Sequence, residues 1–373
     1  MRNMKGIGFD GKLVDRKTLR ACFIGCGSHS FRNVYPVLQF VPVELAAVCD
    51  LSSEKAEAFA RSFGAAASYV DYHKMLDAEA PDAVFIVTNY DGAGRPRYPG
   101  IAVDCMNAGA NVWMEKPPAG SVSDAERMIK AAEANGKITA VGFKKMFAPA
   151  NVKAKELSRG GDFGQICMTM LQYPQRIPEV SEFEAYFNMK NAGGATSFLD
   201  HLCHPVSLLL MLAGMPDRMY YERAASGAGS VLFGYTSGAT ATLSLTHGAA
   251  RNGGMERTML ISDRGRHIIV ENNTRLSYNM DPPDHAYGAS PNYFTGEPGG
   301  VSSVWEPEFS LGQLYNKALF ILGYYNEIND FCNAALNGGT ISNGTLEQAW
   351  QITHIFEKFA EGPRKEISLL HGI

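Results

Sequence analysis

Leu19-Arg20-Ala21-Cys22-Phe23-Ile24-Gly25-Cys26-Gly27-Ser28-His29-Ser30 is the stretch on which the fold turns. The apolar run Ala21-Cys22-Phe23-Ile24 feeds directly into Gly25-x-Gly27-x-x-Ser30. In such a fingerprint the first glycine permits a tight turn and the second lets the backbone approach a pyrophosphate. The third position takes a small residue where helix meets strand, which Ser30 satisfies. A helix starting near Ser28 would aim free N–H groups at the phosphates, so Ser28, His29 and Ser30 join Gly25 and Gly27 as candidate cofactor contacts. Alone the fingerprint is weak. Here it is answered by Asp50, which ends the next apolar run and would accept hydrogen bonds from the adenine-ribose hydroxyls. Leu51-Ser52-Ser53 beyond it holds no arginine for a 2′-phosphate, which favours NAD over NADP; Arg32 and Arg61 are the side chains that could fold in to admit NADP.

Outward from this stretch, apolar runs at 45–49, 83–87, 111–114 and 138–141 alternate with helical stretches at 52–63, 71–78, 99–108 and 123–135, and Gly64, Gly109 and Gly136 stand at stop positions. Continuous apolar strands alternating with helices imply a parallel sheet buried on both faces, a doubly wound α/β Rossmann domain over residues 19–143. A polar, glycine-spaced arm, residues 1–18, precedes it. After Phe143 the pattern changes. A helix at 148–157, a strand at 166–173 and a long helix at 193–212 lead into extended segments at 218–223, 230–235, 240–247, 257–262, 267–271 and 275–278. This predicts a second, α+β domain over 144–373 for substrate and oligomerisation, with an open, mainly antiparallel sheet carrying helices on one side. Thr240, Thr242, Ser244 and Thr246 would give its uncovered face a hydroxylated row. Residues 281–312, rich in Pro, Gly and aromatics without a period, read as a long functional loop, and helices at 317–336 and 345–360 close the chain.

Composition bounds the function. With 373 residues, 46% hydrophobic and 19% charged, the chain is long enough for two globular cores. A formal net charge of −4 carries no electrostatic footprint for nucleic acid. Residues 1–14 have no apolar signal core, and no later stretch reads as apolar over the ~20 residues a membrane span needs. Seven scattered cysteines suit reduced thiols better than a disulfide framework, which points to the cytoplasm.

Three constellations carry chemistry. Thr88-Asn89-Tyr90 follows the strand at 83–87, at the sheet edge where cofactors bind, so Thr88 and Asn89 are candidate cofactor contacts. Glu115-Lys116-Pro117 follows the strand at 111–114; the prolines after Lys116 restrict its backbone, and a fixed ammonium near a hydroxyl stabilises developing alkoxide charge. Asp200 and His204 stand i, i+4 on one helix face, where His204 can move a proton near neutral pH and Asp200 can orient the imidazole or bond the substrate. His201, Cys203 and His204 are the rival metal set, but the two histidines are i, i+3, Cys203 points elsewhere and a second ligand cluster is missing; metal is not expected. Lys144 and Lys145 read equally as a site for an acidic or phosphorylated sugar and as a solvated basic turn. Lys144, Tyr173 and Arg176 complete the candidate substrate contacts, with Asp200 and His204.

Taken as an ordered set, Gly25-x-Gly27, Asp50, Thr88-Asn89, Glu115-Lys116-Pro117, Val141-Gly142-Phe143, Gly193-Gly194 and Asp200-x-x-x-His204 resemble the glucose–fructose oxidoreductase / inositol dehydrogenase (Gfo/Idh/MocA) family. The resemblance spans about residues 19–360, with Glu327, Phe331 and Gly338 in the closing helices. It implies an N-terminal Rossmann domain, a C-terminal domain whose open sheet often forms subunit contacts, and NAD(P)-dependent oxidation or reduction of a secondary alcohol on a sugar, cyclitol or related polyol. Carried over by position, Lys116 would be the catalytic lysine, also touching the cofactor with Glu115; His204 would be the proton carrier, Asp200 its assistant at the substrate, and the Lys116–Pro117 bond cis. Two positions depart: Tyr98 stands where many members have His, and Lys144-Lys145-Met146 where an Asn-Arg-Arg-like run is common, both expected to border the substrate. A homodimer or homotetramer with a small-molecule sugar or polyol substrate is the expectation. The competing readings are an NAD-assisted lyase or hydrolase without net redox, and a non-enzymatic dinucleotide sensor, which would have no need of Lys116 paired with His204.

Overall fold

The computed structural model describes residues 17–190, 193–249, 256–280, 302–306 and 317–370. Nearly all of the expected arm at 1–18 and most of the 281–312 stretch lie outside these residues. The N-terminal half opens with β1 (Leu19–Ile24) and a helical segment that begins at Ser28, passes through a π-type turn at Ser30–Val34 and ends in α1 (Tyr35–Leu38). Then follow β2 (Val43–Cys49), α2 (Ser53–Phe63), β3 (Ala67–Tyr69), α3 (Tyr72–Glu79), β4 (Ala83–Ile86), α4 (Tyr98–Asn107), β5 (Asn111–Met114), α5 (Val122–Asn135) and β6 (Thr139–Val141). The helices start where the sequence signals them: Ser52, Asp71 and Ser121 each accept a first-turn backbone N–H, and Gly64 and Gly136 end α2 and α5 in the left-handed region. Six parallel strands run in the order β3-β2-β1-β4-β5-β6. The strand order reverses between β1 and β4, so the crevice at their carboxyl ends is where such a sheet receives a ligand.

The C-terminal half contains a short 3-10 turn at Lys144–Met146, α6 (Pro149–Ser158), β7 (Ile166–Tyr173), α7 (Val180–Phe187) and α8 (Gly193–Ala213). It continues through β8 (Arg218–Arg223), β9 (Gly229–Gly234), β10 (Thr240–Leu245), β11 (Arg257–Ser262), β12 (His267–Glu271), β13 (Arg275–Asn279) and β14 (Ser302–Trp305). The last elements are α9 (Lys317–Ile321), α10 (Tyr324–Asn337), α11 (Leu346–Phe359) and β15 (Ile367–Ser368). Among the described residues nine strands form one sheet in the order β14-β13-β12-β11-β7-β10-β9-β8-β15. It is antiparallel except where central β7 runs parallel to β10. One face, with Leu171, Val231, Phe233, Leu243 and Leu260, is buried under helices.

Helix α8 is the spine of this half. By length and composition it could cross a membrane, contrary to the sequence expectation, yet 72% of that window is buried inside the fold. Its Phe198 meets Phe183 of α7 edge-on at 5.9 Å and Phe359 of α11 at 5.0 Å. Full burial of each such side chain contributes about 1.5–3 kcal/mol, so the face of α8 opposite this cluster is held in a fixed orientation. The helix expected over 317–336 is broken into α9 and α10 at Gly323, whose φ of +95° suits only glycine and where a Cβ would lie 2.1 Å from the Lys144 carbonyl oxygen. The break lets α10 return to the first sheet, with Phe331 edge-on to Phe85 at 5.8 Å, and brings Tyr324 beneath Lys144.

Candidate active site

The glycine turn is built from below. Gly25 has φ +110°, and a Cβ there would fall 1.8 Å from the Val87 carbonyl oxygen, so only glycine lets the β1 turn lie against the end of β4. Gly27 has open space where its Cβ would be. Ser30 is fully buried; its hydroxyl accepts the Gly27 N–H at 3.0 Å and lies within bonding distance of the Gly25 and Gly27 carbonyls. Ser30, expected as a cofactor contact, therefore shapes the turn, its hydroxyl directed into the turn's own backbone. Above the turn is a cleft of about 840 Å³ lined by Gly25, Gly27, Asp50, Thr88 and Asn89 among others. Asp50 accepts the backbone N–H groups of Cys26 at 2.8 Å and Ser52 at 3.0 Å, which fixes its carboxylate at the cleft wall. The basic side chains on that wall are Lys55 and Arg97. Arg32 instead bonds the Ser28 carbonyl and hydroxyl, and Arg61 stands 3.7 Å from Glu57.

His29 and Glu115 find each other: Nε2 and Oε1 are 2.9 Å apart, and the other Glu115 oxygen accepts the Lys116 N–H at 3.0 Å. This pair ties the glycine turn to the end of β5. Tyr98 is buried, and its phenol donates to the Thr88 carbonyl at 3.1 Å while accepting the Thr88 N–H at 3.3 Å. It clamps the end of β4.

The Lys116–Pro117 bond is cis, as the resemblance implies. Lys116 Nζ lies 2.7 Å from Asp200 Oδ1, and the Tyr90 phenol donates to the same oxygen at 2.9 Å. Burial works to lower the Lys116 pKa, but Asp200 and Glu115 outweigh it and hold the ammonium above its ordinary value. Asp200 is thus engaged with the first sheet and does not hold the His204 ring. Neither imidazole nitrogen of His204 has a hydrogen-bond partner among the described residues, and its ring stands 5.9 Å from that of Tyr173. Burial, followed by the charges of Lys145, Lys116 and Lys144, pushes the His204 pKa well below 6.5. The ring is therefore neutral at neutral pH and able to accept a proton.

Lys144 and Lys145 are not a solvated turn. Lys145 is buried, pairs with Glu256 and lies 4.6 Å over the Tyr173 ring; burial lowers its pKa to about 8 against the pull of Glu256. Lys144 donates to the Tyr324 phenol at 3.0 Å, and burial lowers its pKa against Glu115 and Glu327. Arg176 stands apart from this cluster. Its guanidinium is bidentate to Glu182, at 2.9 and 2.5 Å, and packs against Gly194 at the start of α8. It joins β7, α7 and α8 and does not reach Lys116 or His204. Tyr90 and Lys55 line the cleft, and Glu256 and Tyr324 hold Lys145 and Lys144, without having been assigned from sequence. Only Tyr90 had a signal, its place at a strand end beside Thr88 and Asn89.

Residues 19–143 match the oxidoreductase family with an NAD-binding Rossmann fold, and residues 151–266 match the GFO/IDH/MocA C-terminal domain. The chain belongs to the Gfo/Idh/MocA oxidoreductase family, and its N-terminal half is an NAD-binding Rossmann domain. It is 30% identical over 154 residues, 40% of this chain and 44% of the other, to the inositol 2-dehydrogenase of Salmonella typhimurium. It is 29% identical over 174 residues, 47% of this chain and 48% of the other, to the D-glucoside 3-dehydrogenase of Escherichia coli. The matched stretch spans about half the length of these curated relatives. A dehydrogenase from Chromobacterium violaceum has the same fold, with a TM-score of 0.76 at 19% identity over 93% of this chain and 96% of that one.

Proposed function

We propose that this chain is an NAD-dependent dehydrogenase that oxidises a secondary alcohol of a sugar, cyclitol or related polyol. The observation that carries the reading is the convergence of Lys116, Asp200 and His204 at the carboxyl edge of a dinucleotide-binding sheet. The cleft fits the cofactor: Gly27 leaves room for a close approach, the N-terminal end of the helical segment from Ser28 faces the phosphates, and Asp50 takes the ribose hydroxyls. Bound NAD supplies the hydride acceptor. The chain's own residues supply the rest. Lys116 holds the substrate oxygen and stabilises its charge as the proton leaves; neutral His204 takes the proton, and Asp200 bonds a substrate hydroxyl while anchoring Lys116. Residues 19–143 hold the dinucleotide and 144–373 the substrate. A screen of polyols, sugar acids, cyclitols and sugar phosphates with NAD⁺ and NADP⁺ tests this. Net accumulation of reduced nicotinamide supports it; turnover of a sugar without such accumulation supports the lyase or hydrolase reading instead.

Asp50 sets the cofactor preference. A carboxylate bonded to the ribose repels a 2′-phosphate, so NAD⁺ binds more tightly than NADP⁺ in direct titration, and Asp50→Ala narrows the gap by favouring the Lys55 ammonium beside it. Tighter NADP⁺ binding by the unaltered chain contradicts this.

The outer face of the nine-stranded sheet supports a homodimer or homotetramer. The expected hydroxylated row is only one strand wide. In register across its neighbours stand Tyr220, Leu232, Thr242, Met170, Met259 and Ile269. Leu232 is 49% exposed and Met170 41%, an apolar stripe that a second copy of the same face would bury about a twofold axis. Light scattering at micromolar concentration gives an oligomer for the unaltered chain and a smaller species for Met170→Asp; a monomeric unaltered chain overturns the assembly.

A further inference from the structure

We infer that Tyr90 is a positioning residue of the active site: its hydroxyl shares one oxygen of Asp200 with Lys116 and so presents the other oxygen to the substrate. The inference rests on the dehydrogenase reading and adds a residue to its site. Both donors reach Asp200 Oδ1, Lys116 Nζ at 2.7 Å and the Tyr90 phenol at 2.9 Å. The other oxygen, Oδ2, takes no hydrogen bond from the described residues; His201 Nδ1 stands 3.7 Å from it, too far for one. A carboxylate with one oxygen held by two donors from different strand ends cannot rotate about its own axis without breaking one of them. Its second oxygen is left as a fixed acceptor. Tyr90 acts here as a donor and not as a base, because burial and then the Asp200 charge push its pKa up and keep the phenol protonated.

The backbone around Tyr90 is arranged to make this contact. Tyr90 and Pro96 form an isolated antiparallel bridge, and Arg97 Nε donates to the Tyr90 carbonyl at 3.2 Å. Asp91 accepts the Ala93 and Arg95 N–H groups, each at 2.9 Å, which closes the intervening turn. The same loop holds α8 one turn earlier: Thr196 Oγ1 donates to the Gly94 carbonyl at 2.8 Å. Thr196 and Asp200 are i, i+4 and therefore lie on one face of α8, so the loop grips two successive turns of the helix that carries Asp200 and His204. Tyr90 also lines the dinucleotide cleft, which places it between the cofactor and the substrate acceptor. In this chain the loop between β4 and α4 sets the register of Asp200 against Lys116.

Tyr90→Phe removes the hydroxyl and keeps the ring. A hydrogen bond to a charged group is strong enough that kcat should fall about ten- to a hundredfold, with NAD⁺ affinity and thermal midpoint unchanged. A second readout uses the cofactor-free chain: amine-reactive labelling of Lys116 across a pH series, followed by mass spectrometry. Without the phenol, Asp200 offers Lys116 its full charge, and the labelling midpoint of Lys116 moves up in Tyr90→Phe. A variant with wild-type kcat and an unmoved midpoint overturns the inference, as does one whose loss of kcat is matched by loss of NAD⁺ affinity and thermal stability, the mark of packing alone. A wild-type chain that reduces no nicotinamide with any polyol counts against the dehydrogenase reading, while the labelling midpoint still decides the role of Tyr90.

Discussion

His204→Ala lowers kcat on an identified polyol by about 10²–10⁴-fold, the range typical for loss of a general base, while NAD⁺ binding stays near that of the unaltered chain. The reason is in the surroundings of the ring. Neither nitrogen is used by another described residue, and burial with three nearby lysines keeps the imidazole neutral. The sign of the pH dependence follows. The proton-accepting form is the neutral ring; its pKa lies well below 6.5, so kcat/KM stays on its plateau as pH falls through 6.5 and drops only in more acidic solution. An acid limb centred at or above 6.5 and abolished in His204→Ala contradicts the arrangement. Near-normal turnover in His204→Ala moves the base to Tyr173 or Lys144.

Lys116→Ala removes the ammonium proposed to meet the substrate oxygen and leaves Asp200 without its closest partner. Loss of one such electrostatic contact to a developing oxyanion costs about 10²–10³-fold in kcat. Lys116→Arg should fail as well, since a planar guanidinium does not fit the place of a compact ammonium 2.7 Å from Asp200 Oδ1. Steady-state kinetics of both variants beside NAD⁺ titration checks this; recovery of turnover by arginine contradicts the point-charge role.

What could be read from the sequence was local. Continuous apolar strands, Ser and Asp caps and glycine stops located the first sheet within a few residues, except for β3, whose three half-buried residues are too short to stand out as an apolar run. Extended segments between turns likewise marked β7 to β13. Helix α7 escaped because it is a single eight-residue segment between prolines and a polar turn. The i, i+4 spacing of Asp200 and His204 and the prolines after Lys116 pointed to the groups proposed as reacting, since each signal lies within one short stretch. Contacts between distant segments left no such trace. Tyr90 meets Asp200 across 110 positions and Lys145 meets Glu256 across 111. Arg176 illustrates the converse: a basic residue just past β7 reads as a substrate contact, and the structure shows two of its N–H groups taken by Glu182, six positions on.

The central claim is hydride transfer from the substrate carbinol carbon to nicotinamide at the Lys116/His204 site. It is tested most directly with a polyol deuterated at the oxidised carbon. The account predicts that deuterium is recovered in accumulating reduced nicotinamide, in stoichiometric amount with the ketone product, and that both form at least about 10²-fold more slowly with His204→Ala or Lys116→Ala. Deuterium retained in the organic product, with no reduced nicotinamide accumulating while substrate is consumed, would contradict it.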